Sequence, residues 1–363
     1  QEILQSLDAD SRAALALIYM RNGRLESPVK LQLSETQALE RLGSDLGRCI
    51  LALEALRGSL VLFSHASGES AWQFKHPTIG DAYATLLMQS PEHLDIFIQG
   101  SAPDRLIDQV TCGDVGLEKA IVVPKSLFPP MLARLREMLQ SRSYKTAWLS
   151  TFGAKRDLQG FLANRCSKEF LSLYLKDNPD LLDQVSEPGL FLDTVPEVRL
   201  AKRLHQFGLL PEEKRKKFVE TVSTYALDGQ DGDALDDDGI QSLFTSEEFE
   251  ELVHRVRTEL LPRLDDVRHE WESNHSAGEP PDEHMQQLLE FFSSVKERFM
   301  DDEGTVKLID RQIERTNEWI DENTPEEPER SPRKLGKIET PAESRSARSI
   351  FDDIDANEDA DGP

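Results

Sequence analysis

The sequence predicts a mainly α-helical protein: a winged-helix domain, α-helical domains after it, and a disordered acidic tail. Three observations predict it. Residues 8–90 hold three segments with apolar residues at helical spacing, then two short apolar runs about a polar turn. Residues 91–323 continue as amphipathic segments broken by Pro and Gly. After Asn323 the periodicity ends and Pro, Glu, Arg and Ser dominate, a composition that cannot bury enough apolar surface to fold. The expected division is 1–90 winged helix, 91–227 helical domain, 228–239 acidic linker, 240–323 acidic helical bundle and 324–363 disordered tail.

Taken in order, Asp8 or Asp10 can cap a helix running through Arg12–Tyr19. Ser34-Glu35-Thr36-Gln37 has the form of a capping box and starts a second helix through Leu42. Leu46, Ile50, Leu53 and Leu56 share one face of a third, which Gly58 stops. Leu60–Phe63 reads as a strand, His65–Glu69 as a hairpin loop and Trp72–Phe74 as the returning strand; a further helix starts at Pro77. Ala120–Pro124 reads as a short strand or an extended link. Leu127–Leu139 is helical, with Pro129 and Pro130 tolerated in the first turn. Phe161-Leu162 and Phe170–Leu175 mark two more helical faces, followed by helices over Glu197–Phe207 and Pro211–Tyr225. Residues 228–238 are rich in Asp and Gly and read as a linker. Helices near 245–273, 282–300 and 304–323 complete the pattern, and no fixed repeat period is present.

Composition narrows the function classes. The 363 residues suffice for two or three cores. No run approaches the roughly 20 apolar residues of a membrane helix, and Gln1–Leu4 lacks the features of a signal peptide, so a soluble, cytoplasmic protein is expected. With no initiator Met, the chain is expected to begin within a longer protein. Cys49, Cys112 and Cys166 are far apart and belong to no metal-ligand spacing; free thiols in a reducing compartment are expected. The net charge of −25 is uneven: residues 1–226 hold 27 basic and 28 acidic side chains, residues 227–363 hold 15 and 39. The acidic third repels nucleic acid and suits solubility or a basic protein partner.

Most chemical motifs fail on spacing. With Gly232 or Gly239 at the sixth position of a calcium loop, the first position falls on Leu227 or Ala234 instead of Asp. His269-Glu270 lacks the second zincin His, because position 273 is Ser273. No phosphate loop and no GxSxG elbow exist, so the chain is expected not to hydrolyse nucleotide by itself and carries no catalytic residue. Asp193, Glu197 and Lys202 form at most a loose nuclease-like set. The third helix, 44–57, offers only Arg48 and Arg57 against Asp45 and Glu54, a weak basis for reading DNA. In the tail, Ile350 and Phe351 lie between Arg345 and Arg348 on one side and Asp352, Asp353 and Asp355 on the other. That pattern suits a partner-docking peptide or a merely solubilising tail.

One constellation remains. Trp72–Ile79 places His76 between the hairpin and a helix that begins at Pro77. Proline drives its predecessor into an extended conformation and suits the first helical turn, so His76 falls at a helix N-terminus. Free N–H groups and the helix dipole favour an anion there. The same position also suits a histidine that only caps the helix.

The run Phe74-Lys75-His76-Pro77-Thr78-Ile79-Gly80-Asp81-Ala82 resembles the end of the winged helix of STAND NTPases, closest to the bacterial novel STAND group of anti-phage defence proteins. In the related plant immune receptors a Met-His-Asp motif occupies this junction and its His contacts the β-phosphate of ADP; here Lys75 and Pro77 stand where Met and Asp would. Ile121–Leu127 and Arg165–Leu171 also resemble segments that follow this winged helix. The resemblance covers about residues 1–185. It implies that His76 senses nucleotide, and that ADP or ATP is shared with a P-loop ATPase domain lying before Gln1. It further implies a trigger protein acting on the helical C-terminal part and nucleotide-dependent homo-oligomerisation. The sequence is therefore read as the regulatory and sensor part of a nucleotide-switched NTPase. A helical interaction scaffold and a winged-helix DNA-binding regulator are the alternatives.

Overall fold

The computed structural model describes residues 2–66, 68–118, 120–140, 148–276 and 278–324; it is mainly helical, with two small sheets. Ile350, Phe351 and the expected disordered tail from residue 325 onward lie outside the described residues. A single helical turn, Glu2–Gln5, precedes α1 (Ala9–Met20), which is capped by Asp8, whose carboxylate accepts from the Ser11 N–H at 2.7 Å. Ala13–Ile18 are at most 2% exposed, so α1 is the axis about which the N-terminal elements pack.

A strand that the sequence reading did not include, β1 (Arg24–Ser27), follows. Then come α2 (Leu33–Arg41), α3 (Leu46–Leu56), β2 (Val61–Ala66), β3 (Glu69–Phe74) and α4 (Pro77–Met88). The hairpin pairs Val61 with Phe74 through Ala66 with Glu69, so its loop is shorter than His65–Glu69. β1 joins the other edge of β3, and the sheet order is β1-β3-β2, all antiparallel. The expected cap of α2 shifts by two residues. Glu35 accepts from the Gln32 N–H at 2.8 Å, while the Ser34 hydroxyl donates to the Gly100 carbonyl. The cause is Arg21, which grips Glu35 through two bonds of 2.7 Å and draws the helix start toward Gln32.

No separation marks residue 90. Helix α5 (Pro91–Gly100) packs on α2 and α4, and a Cβ at Gly100 would lie 2.7 Å from the Ala38 Cβ, so glycine permits that approach. After α6 (Pro103–Gln109), β4 (Val110–Cys112) pairs in parallel with β5 (Ile121–Val123), which makes the 120–124 stretch a strand. Helices α7 (Phe128–Gln140), α8 (Trp148–Arg165), α9 (Lys168–Asp177), α10 (Leu181–Ser186), α11 (Pro196–Gln206) and α12 (Glu212–Leu227) follow.

The stretch 228–239, expected as a linker, is folded and packed. Asp231, Ala234 and Leu235 are buried. A Cβ at Gly229 would meet Val267 at 2.4 Å and one at Gly232 would meet Ser294 at 2.7 Å. These glycines permit close approach to the helices that follow; they do not supply freedom. The expected long helix near 245–273 is broken. Helix α13 (Ser246–Arg255) passes through a π turn and a 3₁₀ turn before α14 (Leu264–Asn274), because Pro262 withholds an N–H from the helical ladder. Helices α15 (Pro281–Arg298) and α16 (Glu303–Asn323) close the bundle, and Gln1–Asn323 form one compact unit.

Candidate functional site

His76 sits where the sequence places it. Its backbone is extended, φ −144° and ψ 142°, as a residue before proline requires. Its Nδ1 accepts from the Thr78 N–H at 3.3 Å and lies 2.9 Å from the Thr78 hydroxyl, so the imidazole caps α4. Nδ1 is thereby an acceptor, and a neutral ring carries its proton on Nε2. The side chain is exposed, and Nε2 has no hydrogen-bond partner among the described residues. One ring thus serves the cap and presents a donor outward. No acidic residue occupies the first turn of α4 to repel an anion.

The junction is held firmly from below. The Lys75 N–H donates to the Leu60 carbonyl at 2.9 Å, and its ammonium donates to the Gly58 carbonyl at 2.5 Å. Tyr19 of α1 lies 6.4 Å from the Phe74 ring, 5.2 Å from Tyr83 and 5.5 Å from Phe97. Burial pushes the Tyr19 phenol up to about 12, with Asp81 adding to it, and burial raises Tyr83 as well. These aromatics fix how α4 leaves the sheet. They stand at ordinary core spacing, so nothing in the sequence separates them from packing residues.

The other candidates come apart. The exposed edge of α3 carries Arg48 and Arg57, but Arg48 is bonded to Asp45 at 2.8 Å, and Arg57 faces Glu54 at 3.6 Å and stacks over Phe63. Lys202 pairs with Asp237 at 2.8 Å, away from the Asp193 and Glu197 of the nuclease-like set. Cys112 and Cys166 meet across a backbone bridge, fully buried, and burial raises the Cys166 thiol well above its ordinary value, which makes it inert.

Two charge centres were not visible in sequence. Arg215 of α12 is 4% exposed and donates to Glu212 at 2.6 and 2.8 Å, to Glu248 at 2.7 and 2.8 Å and to the Leu243 carbonyl at 2.5 Å. Its hydrogen bonds hold the Glu248 carboxyl down to about 2. In an acidic pocket of about 440 Å³, Asp193, Asp231, Asp233 and Asp236 share one wall. Burial first, then Asp231, Asp236 and Asp193, push Asp233 up to about 7. Asp231 accepts from the Phe191 and Leu192 N–H groups, and the exposed Phe191 holds a positive φ of 68° beside it.

Among the described residues no three His, Cys, Asp or Glu side chains converge closely enough to hold a metal ion, and no helix is long and apolar enough to cross a membrane. No protein-family model, curated protein or solved structure matches this chain.

Proposed function

We propose that the chain is the regulatory and sensor part of a STAND-type nucleotide-switched NTPase, with the P-loop domain outside it and a role in anti-phage defence. The observation that carries the reading is His76: a capped, pre-oriented imidazole whose Nε2–H faces solvent at a helix N-terminus. The order helix, strand, two helices and a hairpin, with β1 on the outer edge of β3, supports the winged-helix reading of residues 9–74. In this reading ADP bridges the ATPase domain and His76 and keeps the protein closed. A trigger acting on the helical part favours exchange for ATP and assembly.

The test is His76→Ala in the full-length protein, with bound ADP and oligomer size measured together. A lost hydrogen bond to a charged oxygen costs roughly 1.5–3 kcal/mol, or about ten- to a hundredfold in ADP affinity. The expected outcome is reduced ADP retention and a shift toward the open or assembled form. A lower melting temperature, with ADP content and oligomer size unchanged per folded molecule, would leave His76 as a cap and sink the reading. The ion-paired arginines of α3 weigh against the DNA-binding alternative. An interaction scaffold is favoured by one feature: the exposed Leu190 and Phe191 beside the acidic pocket, a surface suited to a basic, partly apolar partner.

A further inference from the structure

A second charged cavity, of about 270 Å³, lies between α6, α8 and α11 and shares no residue with the His76 junction. Arg156 and Arg165 of α8 and Arg199 of α11 all line it, in a chain whose net charge is −25. None of the three forms an ion pair among the described residues. Each makes one long contact with a backbone carbonyl: Arg156 with Thr194 at 3.3 Å, Arg165 with Val110 at 3.5 Å and Arg199 with Asp193 at 3.5 Å. A guanidinium has five N–H donors, so most of these donors are unspent. Arg21, Arg215 and Arg268, by contrast, each hold carboxylates through several bonds. Asp108 and Asp157 line it too, and Arg165 acts on the Asp108 charge.

We propose that this pocket binds a small phosphate-bearing ligand, with the phosphate held by Arg156, Arg165 and Arg199 and its hydroxyl or ammonium groups turned to Asp108 and Asp157. Three arginines lining one cavity offer donors enough for a tetrahedral group with three terminal oxygens, whereas a planar carboxylate fills one fork. The first turn of α11 opens on the same side, and Val195 supplies no side-chain cap to its N–H groups, but the arginines carry the argument. The volume leaves room for a phosphate and a few further heavy atoms, just under the roughly 300 Å³ at which drug-sized pockets begin. The two carboxylates repel an extended polyanion, which excludes a nucleic-acid strand. Burial and the neighbouring Asp157 raise the Asp108 carboxyl, opposed by Arg165, so a donor from the ligand would be welcome there.

The experiment is calorimetric titration of the whole chain with inorganic phosphate and, separately, with glycerol phosphate, at constant ionic strength against a chloride control. Saturable binding is expected. The double variant R156Q/R199Q should bind at least tenfold more weakly, while R48Q, which removes an exposed arginine elsewhere, should bind as the parent does. Tighter binding of glycerol phosphate identifies a phosphomonoester site, and tighter binding of inorganic phosphate identifies a free-phosphate site; either supports the proposal. No saturable binding of either probe, or equal affinity in R156Q/R199Q, overturns it. Loss of binding in H76A also overturns it, because the response would then belong to the nucleotide junction.

Discussion

Two arginine centres of this protein differ in almost every respect. Arg215 is buried and its donors are spent on Glu212, Glu248 and the Leu243 carbonyl, which ties α12 to the start of α13. Glu248 is also the capping-box residue of α13, so one ion pair fixes both the docking and the first turn of that helix. Arg156, Arg165 and Arg199 line an open pocket and spend little on the protein. A guanidinium that is desolvated must be fully paired at home. One left hydrated with free donors has no such requirement and is available to a ligand. The difference assigns the first centre to the fold and the second to binding.

The sharpest way to break that assignment is Arg215→Ala. Removing the guanidinium takes charge-assisted hydrogen bonds from Glu248, whose side chain is 25% exposed, and the donor from the buried Leu243 carbonyl, and about 2 kcal/mol of stability should be lost, read from denaturant unfolding. The pH dependence follows from Glu248. Its carboxyl lies at about 2 in the folded state against an ordinary value of 4.5, so the folded state binds fewer protons in that interval. The stabilisation is complete above pH 4.5 and is lost as pH falls toward 2. In Glu248→Gln this acid-side slope should flatten. An Arg215→Ala protein as stable as the parent would remove the structural half of the comparison.

The acidic pocket has the opposite sign. Asp233 is raised to about 7 against 3.8, so the folded state binds more protons between those values, and stability falls as pH rises through the window. Asp233→Asn removes a charge that burial first, and then Asp231, Asp236 and Asp193, disfavours. The variant should be more stable than the parent at pH 7.5 and indistinguishable from it at pH 4. Equal stability at both pH values would show that neither burial nor the neighbouring carboxylates disfavour the Asp233 charge.

How much of this was legible in the sequence depended on whether the signal was local. The helices were readable from apolar spacing, and the His76 junction from Pro77, which constrains its neighbour through the covalent chain alone. β1 escaped because four residues place a single fully buried side chain, Leu25. The α2 cap moved because Arg21, eleven residues before Gln32, holds the Glu35 carboxylate that also accepts from the Gln32 N–H. Residues 228–239 were misread because Asp and Gly suit a linker and a tight packing turn equally; only Val267 and Ser294, far along the chain, reveal which. Arg156, Arg165 and Arg199 sit on two helices at ordinary spacings, and no local pattern announces that they line one cavity.

The smallest expected effect is the one that completes the comparison. If Arg156 and Arg199 belong to a ligand and not to the fold, R156Q/R199Q should leave the stability of the free protein within about 0.5 kcal/mol of the parent, as exposed substitutions generally do. Each variant side chain gives up one long carbonyl contact and no ion pair among the described residues. The loss of positive charge beside Asp108 and Asp157 is screened by solvent at this open rim. Denaturant unfolding of the parent and the double variant, without phosphate and then with it, separates the two costs. The curves should nearly coincide without phosphate and part when it is added, because only the parent gains stability by binding. A loss of about 2 kcal/mol or more without phosphate would mean that these arginines hold α8 against α11, and the contrast with Arg215 would collapse into a difference of degree.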